Sequence, residues 1–222
     1  MEQIVSGVGV LDKSVSVLGA LAGGPRSLNE LVEATGIARA TAHRLAVALE
    51  AHGLVRRDPE GRFALGVRLV ALGRAAAEAI PLAALAGDAL EALRAATHES
   101  VQLYVREGDR RVCIASLESP HGLRTIVPMG ASLPLGTGSA GRILEQASTD
   151  PVGAEGWVES VGEREAGVAS VSAPVRDRDG TVLAAVSVSG PIERTTRTPG
   201  QRYGADVVRA AGRIEKAAGL RD

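Results

Sequence analysis

Aromatic residues, cysteine, lysine and long apolar runs are all scarce in this chain, and most of these scarcities exclude something. Only four of the 222 residues are aromatic: Phe63, Tyr104, Trp157 and Tyr203. Base-stacking platforms of the kind that hold single-stranded nucleic acid are therefore not expected. Cys113 is the single cysteine, so no internal disulfide is possible. The histidines at 43, 52, 98 and 121 have no His or Cys close by in sequence, which argues against a Cys/His zinc site. No apolar run reaches the roughly 20 residues that span a bilayer. The opening MEQIVSGVGVLDK carries Glu2 and no basic cluster before an apolar stretch, so no secretory signal is expected. The expected compartment is the cytoplasm, with no membrane partner.

The composition is 45% apolar and 23% charged, which suits a soluble globular chain with one large domain or two small ones. The net charge of −1 names no partner, but its distribution is uneven. Residues 1–77 hold 9 basic and 7 acidic side chains, and the remainder holds 16 and 19. Six arginines lie from Arg39 to Arg68 against Glu50, Asp58 and Glu60. By itself such an excess is usually a solvated face.

Leu11, Val15, Leu18, Leu21 and Ala22 recur at helical spacing, and Gly23-Gly24-Pro25 ends that helix. Ser27-Leu28-Asn29-Glu30 is a capping box, in which the serine oxygen and the glutamate carboxylate each accept from the other residue's N–H. Leu28, Leu31 and Val32 follow as an apolar stripe, and Gly36 permits a left-handed stop. The pattern predicts a third helix over 38–52. Ala42, Leu45, Ala46 and Leu49 lie on its inner side, and Ala40, His43, Arg44 and Val47 point away. Two helices joined by a glycine turn, the second small and polar on its outer N-terminal half, suit a major groove about 12 Å wide. A generic helical hairpin is the plainer alternative.

A basic hairpin comes next. Leu54 to Arg57 and Arg62 to Leu65 read as strands around the turn Asp58-Pro59-Glu60-Gly61. Placed after a candidate reading helix, it is a wing, with Arg56, Arg57 and Arg62 available to phosphates or the minor groove. Each of the three reads equally well as an ordinary charge on a strand. Over this stretch, and above all in ELVEATGIARATAHRL, GLVRRD and GRFALGVRL, the chain resembles the DNA-binding domain of the IclR family of bacterial transcriptional regulators. The resemblance implies a winged helix-turn-helix domain over residues 1–65. It names Ser27, Arg39, Ala40, Thr41, His43, Arg44, Arg56, Arg57 and Arg62 as candidate contacts to double-stranded DNA with a near-palindromic operator.

A helical pattern over 66–79 and another from Pro81 to Thr97 read as a connector, with 66–80 as a linker helix. The resemblance implies that this linker also makes dimer contacts in a homodimer or homotetramer. Beyond Thr97 the period changes to two. Strands are expected at 100–105, 111–116, 125–128, 156–161, 167–175 and 182–189, with helices at 137–147 and 199–220. Mostly antiparallel strands with helices between them make an α+β domain over 81–222.

A catalytic reading finds little to build on. Ser139 and Ser170 have no evident His partner, and a Cys113–His98 pair lacks a supporting signature. Thr137-Gly138-Ser139-Ala140-Gly141 is glycine-rich before a helix but lacks the lysine of a phosphate loop; close packing explains it as well. No cofactor and no metal are expected.

PLGTGSAGRIL and GEREAGVASVSAPVRDRDGTVLAAVSVSGPI look like the effector-binding domain of the same family, whose fold is related to small-molecule-sensing GAF domains. The wording of SAPV, AVSVSGPI, GVGVLDK and TAHRLAVALE is similar to an actinomycete subgroup linked to leucine and other amino-acid metabolism. By position, the resemblance implies an effector pocket around Met129, Gly130, Ala131 and Leu135, with Ser187 and Ser189 on one strand face and Glu163 in a closing loop. Those two serines read equally as solvent-facing. Pro174 stands where the family often has a polar residue or cysteine, and it cannot donate from its N–H. Only Ser148 to Glu155 bridge a gap that family members fill with a longer, largely helical stretch. The expected function is a DNA-binding regulator whose operator affinity responds to a small metabolite. The alternative is a metabolic enzyme or small-molecule sensor whose N-terminal helices serve only assembly.

Overall fold

Packing is organised around separate hydrophobic centres in the two halves of the chain. The computed structural model describes residues 6–78, 80–145 and 155–221. Two units, 1–76 and 77–222, divide the chain, and their boundary falls inside the stretch expected as a linker helix.

In the first unit, α1 (Gly9–Leu21), α2 (Leu28–Thr35) and α3 (Arg39–Ala51) enclose a core that includes Val17, Leu31, Ala42, Ala46 and Phe63. The apolar spacing of α1 misleads in one respect. Val17 and Leu21 are buried, but Leu11 is 53% and Val15 57% exposed, because only the C-terminal half of α1 reaches that core. The capping box of α2 forms with both bonds present: Ser27 N–H donates to Glu30 Oε2 at 2.7 Å, and Glu30 N–H to Ser27 Oγ at 3.3 Å. Gly36 closes α2 at φ 66°, in the left-handed region where a side chain would strain the backbone. No side chain caps α3, so its first N–H groups remain for an outside acceptor. Strands β1 (Val55–Arg57) and β2 (Phe63–Leu65) pair antiparallel, with Arg57 opposite Phe63. Helix α4 (Arg68–Glu78) follows, with Val67 and Val70 exposed at its start.

The second unit departs from expectation first at its connector. In place of one helix there are α5 (Pro81–Leu85) and α6 (Gly87–Thr97), broken at Ala86. Ala86 is wholly buried in the core, and Gly87 behind it is a weak helix former. Then come β3 (Ser100–Glu107), β4 (Arg110–Leu117), β5 (Ser132–Pro134), α7 (Ser139–Glu145), β6 (Val158–Val161), β7 (Val168–Arg176), β8 (Val182–Pro191), α8 (Ile192–Thr195) and α9 (Pro199–Ala217). The expected strand at 125–128 is irregular backbone. Its place beside β4 is taken further along, where Cys113 N–H donates to Ala131 O and Gly130 N–H to Cys113 O, before Ser132–Pro134 pairs as the edge. Thr125 O is instead taken by the Ser100 hydroxyl at 2.6 Å, and Pro128 has no N–H to give. The short α8 was not anticipated.

The six strands form one antiparallel sheet in the order β5-β4-β3-β8-β7-β6. Side chains alternate between its faces. Val101, Leu103, Val171, Ala173, Val186 and Val188 pack with α6 and α9. The other face takes α7 through Tyr104, Cys113, Ala185 and Ile143. Gln102, Ser170, Ser172, Ser187 and Ser189 belong to that second face by the same alternation.

Candidate functional site

On α3 the core-facing residues leave Ala40, His43, Arg44 and Val47 exposed, in the disposition expected of a reading helix. Arg39 is exposed and bound through Nη1 to Asn29 Oδ1, which ties the start of α3 to α2. Thr41 is half-buried, and the Ser27 hydroxyl is engaged in its cap. No His, Cys, Asp or Glu cluster able to hold a metal ion occurs among the described residues.

The three wing arginines are not equivalent. Arg57 lies over the Phe63 ring, pairs with Glu50 at 3.5 Å and donates to Gly61 O at 2.9 Å. Arg62 donates through Nε to Asp58 Oδ2 at 2.8 Å, and Asp58 Oδ1 also accepts from the Arg62 N–H at 2.8 Å. Desolvation raises the Asp58 pKa, but the bonds from Arg62, its charge and the Glu60 N–H together hold it below the ordinary value. Its bond and charge in turn raise Arg62. Arg56 is exposed and carries no protein partner among the described residues.

The second site is a cavity between the sheet and α7. Gln102, Tyr104, Arg111, Ser139, Ser160, Arg164, Ser170, Ser187 and Ser189 are on its walls. Strand register assembles them: Ser170 stands opposite both Ser160 and Ser189, and Ser187 opposite both Ser172 and Gln102. Ser187 and Ser189 are 3% and 4% exposed, so they are not solvent-facing strand residues. The Ser139 hydroxyl lies 2.8 Å from that of Ser170 and 2.7 Å from that of Ser172, joining α7 to the sheet through hydroxyls.

The other expected pocket residues are placed differently. Met129 is 57% exposed in the turn that leads into β5, next to exposed Gly130 and half-buried Ala131, because the Cys113 bonds hold this turn at the sheet edge. Leu135 is buried behind the wall, in the core around α7. Glu163 stands at the rim, accepting from Gly138 N–H at 3.1 Å and pairing with Arg142 at 3.1 Å. The connection at 148–155 lies, except for Glu155, outside the described residues. Cys113 is buried, and burial pushes its thiol up to about 12, the reverse of what a nucleophile needs. His98 is the left-handed cap of α6.

Reading the sequence missed Gln102, Tyr104 and Arg111 as cavity residues; Arg164 entered only as part of the closing loop 163–165. Period-two alternation puts Gln102 on the Ser187 face once β3 and β8 are known to be neighbours. Nothing in the sequence announces that pairing.

The family model of the IclR helix-turn-helix domain matches residues 10–59, and that of the bacterial transcriptional regulator IclR C-terminal domain matches 74–152 and 146–216. The chain belongs to the IclR family. Among its IclR relatives, a glycerol operon regulatory protein of Streptomyces griseus is 29% identical over 83% of this chain and 85% of its own length. The transcriptional repressor IclR of Escherichia coli is 25% identical over 88% and 84%. A solved IclR regulator from Alicyclobacillus acidocaldarius superposes with TM-score 0.82 at 23% identity, covering 96% of this chain and 99% of its own. An IclR homologue from Microbacterium hydrocarbonoxydans, solved with 4-hydroxybenzoate, superposes with TM-score 0.78 at 20% identity, covering 96% and 100%. These IclR structures share the two-domain fold, a helix-turn-helix unit followed by an α+β unit. No helix among the described residues is long and apolar enough to cross a membrane.

Proposed function

We propose that this IclR regulator binds a near-palindromic operator as a homodimer or homotetramer, and that a small metabolite in the C-terminal cavity changes its affinity for that DNA. The observation that carries the reading is the exposed Ala40-His43-Arg44 face of α3, followed by a wing whose Arg56 has no protein partner among the described residues. Arg44 and His43 reach base edges, Arg39 and Thr41 flank them, and Arg56 lies on phosphate. Arg57 and Arg62 chiefly hold the wing in shape. The exposed apolar residues Leu11 and Val15 on α1, and Val70 on α4, favour assembly with a second copy.

The C-terminal cavity supports the sensing half of the proposal, since it is concave, lined by convergent polar groups and built on a rigid sheet. The wording of the sequence suggests amino acids or 2-oxo acids as effectors. The Streptomyces relatives, glycerol operon regulatory proteins, suggest glycerol metabolism instead. The test is selection of genomic fragments by the purified chain, followed by mobility shifts with and without such metabolites. Retention of a discrete set of fragments, and a shift in their affinity with one compound, is expected. Uniform binding to all fragments would contradict the reading.

A further inference from the structure

The cavity has more hydrogen-bond donors than protein acceptors, and that imbalance says what fills it. Arg111 is 3% exposed, yet forms no ion pair with a carboxylate among the described residues. Its Nη1 donates to the carbonyl oxygens of Pro134 at 2.6 Å, Leu135 at 3.3 Å and Thr137 at 2.6 Å, while its Nε is buried with no acceptor. Carbonyl oxygens orient a guanidinium without neutralising it, so a full positive charge stays in a place where charge is costly.

Arg164 adds a second cation at the same wall. A Cβ built at Gly138 would lie 3.5 Å from Arg111 Nη2 and 4.0 Å from Arg164 Cβ, so both arginines border one glycine. Among the described residues Arg164 pairs with Glu165 at 3.7 Å, itself mostly in solvent. Desolvation lowers the Arg111 pKa, the Tyr104 phenol, whose ring centroid lies 5.4 Å from the guanidinium carbon, raises it, and the charge of Arg164 lowers it; no carboxylate takes part. Gln102, on the neighbouring strand β3, repeats the deficit. Gln102 is 1% exposed and accepts from Ser189 Oγ at 3.0 Å, but its buried Nε2 has no acceptor.

We propose that the effector is a compact, acceptor-rich dianion seated between Arg111 and Arg164 and held by Gln102 Nε2 and the hydroxyls of Ser170 and Ser187. This rests on the sensing function proposed above and narrows it by charge. As it stands the cavity offers about 20 Å³, room for little more than one water, so a molecule of few carbons, which asks the least displacement of α7 and Arg164, suits it over an aromatic acid. Short dicarboxylates and phosphate monoesters share this chemistry.

Calorimetry on the full chain with malonate, inorganic phosphate and a three-carbon phosphate monoester, against glycerol, leucine and pyruvate, tests it. At least one dianion is expected to bind, at least tenfold more tightly than every neutral, zwitterionic or monoanionic compound. Malonate binding without the monoester identifies a dicarboxylate, and the converse identifies a phosphate. Arg164→Gln, on a partly exposed side chain, is expected to weaken that dianion at least tenfold and pyruvate less. Arg111→Gln should abolish binding, but Arg164→Gln keeps the test open if that variant does not fold. Equal binding by glycerol or leucine, or an Arg164→Gln affinity equal to the parent's, overturns the assignment. If glycerol or leucine shifts operator affinity while the dianions do not, the dianion falls and the regulator stands. If no compound binds and none shifts operator affinity, the sensing function falls with it.

Discussion

Arg57 and Phe63 face each other across the two strands of the wing, the guanidinium carbon 3.8 Å from the ring centroid. The contact fastens β1 to Phe63, which is 1% exposed in the helical core. It also separates the wing arginines by role. Arg57→Ala is expected to lower the thermal midpoint of the N-terminal unit through loss of about 0.5–1 kcal/mol of cation–π contact. Arg56→Ala is expected to leave that midpoint in place and to reduce the slope of log affinity against log salt by about 0.9 per lost phosphate contact. Scanning calorimetry with anisotropy titrations over a salt series reads both. Interchanged results would mean that Arg57 is the phosphate contact.

Acid should loosen the same unit. The Glu30 carboxyl is held below its ordinary value of 4.5, first by the Ser27 N–H and then by the Ser27 hydroxyl. Asp58 is held below 3.8: desolvation raises it, but the bonds and charge of Arg62 together with the Glu60 N–H outweigh that. A carboxyl depressed by folding contributes stability above its unfolded pKa, and the contribution is lost as pH falls through the folded value. The thermal midpoint is therefore expected to fall between about pH 5 and about pH 3, and to fall less steeply in Glu30→Gln. A midpoint that is flat or rising over that range would contradict the assignment.

Glu99, 1% exposed, is gripped by Arg194 Nε at 2.7 Å and Nη2 at 2.9 Å, while the same Nη2 donates to Leu123 O at 2.8 Å. Arg194→Met strands a buried carboxylate, and a cost of about 3–5 kcal/mol near neutral pH is expected. Adding Glu99→Gln should recover part of it. Chemical denaturation measures both variants, and a cost below about 1 kcal/mol for the first would show that water already shares the charge.

Ser187 and Ser189 stand on the cavity wall, so their joint replacement by alanine should weaken effector binding. Ser187 loses one bond to the effector, about 0.5–1.5 kcal/mol or roughly 2- to 12-fold by calorimetry, and losing the Ser189 bond that orients Gln102 adds to it. An unchanged affinity would place the effector elsewhere.

The local features were legible in the sequence because their causes are local. The Ser27–Glu30 box, the left-handed Gly36 and the Asp58–Gly61 turn each follow from a few neighbouring residues, and so does the helix-turn-helix built on them. The serine spacing at 187 and 189 told that they share a face, but not that the face is covered. Covering depends on α7, which reaches the sheet through Ser139. Arg111 and Gln102 meet Ser187 only because β3 lies between β4 and β8, a pairing between strands far apart in sequence. Residues 125–128 read as a strand because Thr, Ile and Val favour one. Competition for the β4 edge was won by the turn at Met129–Ala131 and the strand after it. The partner choice of an edge is a tertiary matter that propensity does not hold.

The central claim is that α3 reads base sequence through Arg44, and the affinity of Arg44→Ala for operator and for random DNA at one salt concentration tests it most directly. A bidentate contact to a guanine predicts a loss of about 1–3 kcal/mol on the operator, roughly 5- to 150-fold, and a much smaller loss on random DNA. Equal losses on both would make Arg44 a phosphate contact, and no loss on either would contradict the account.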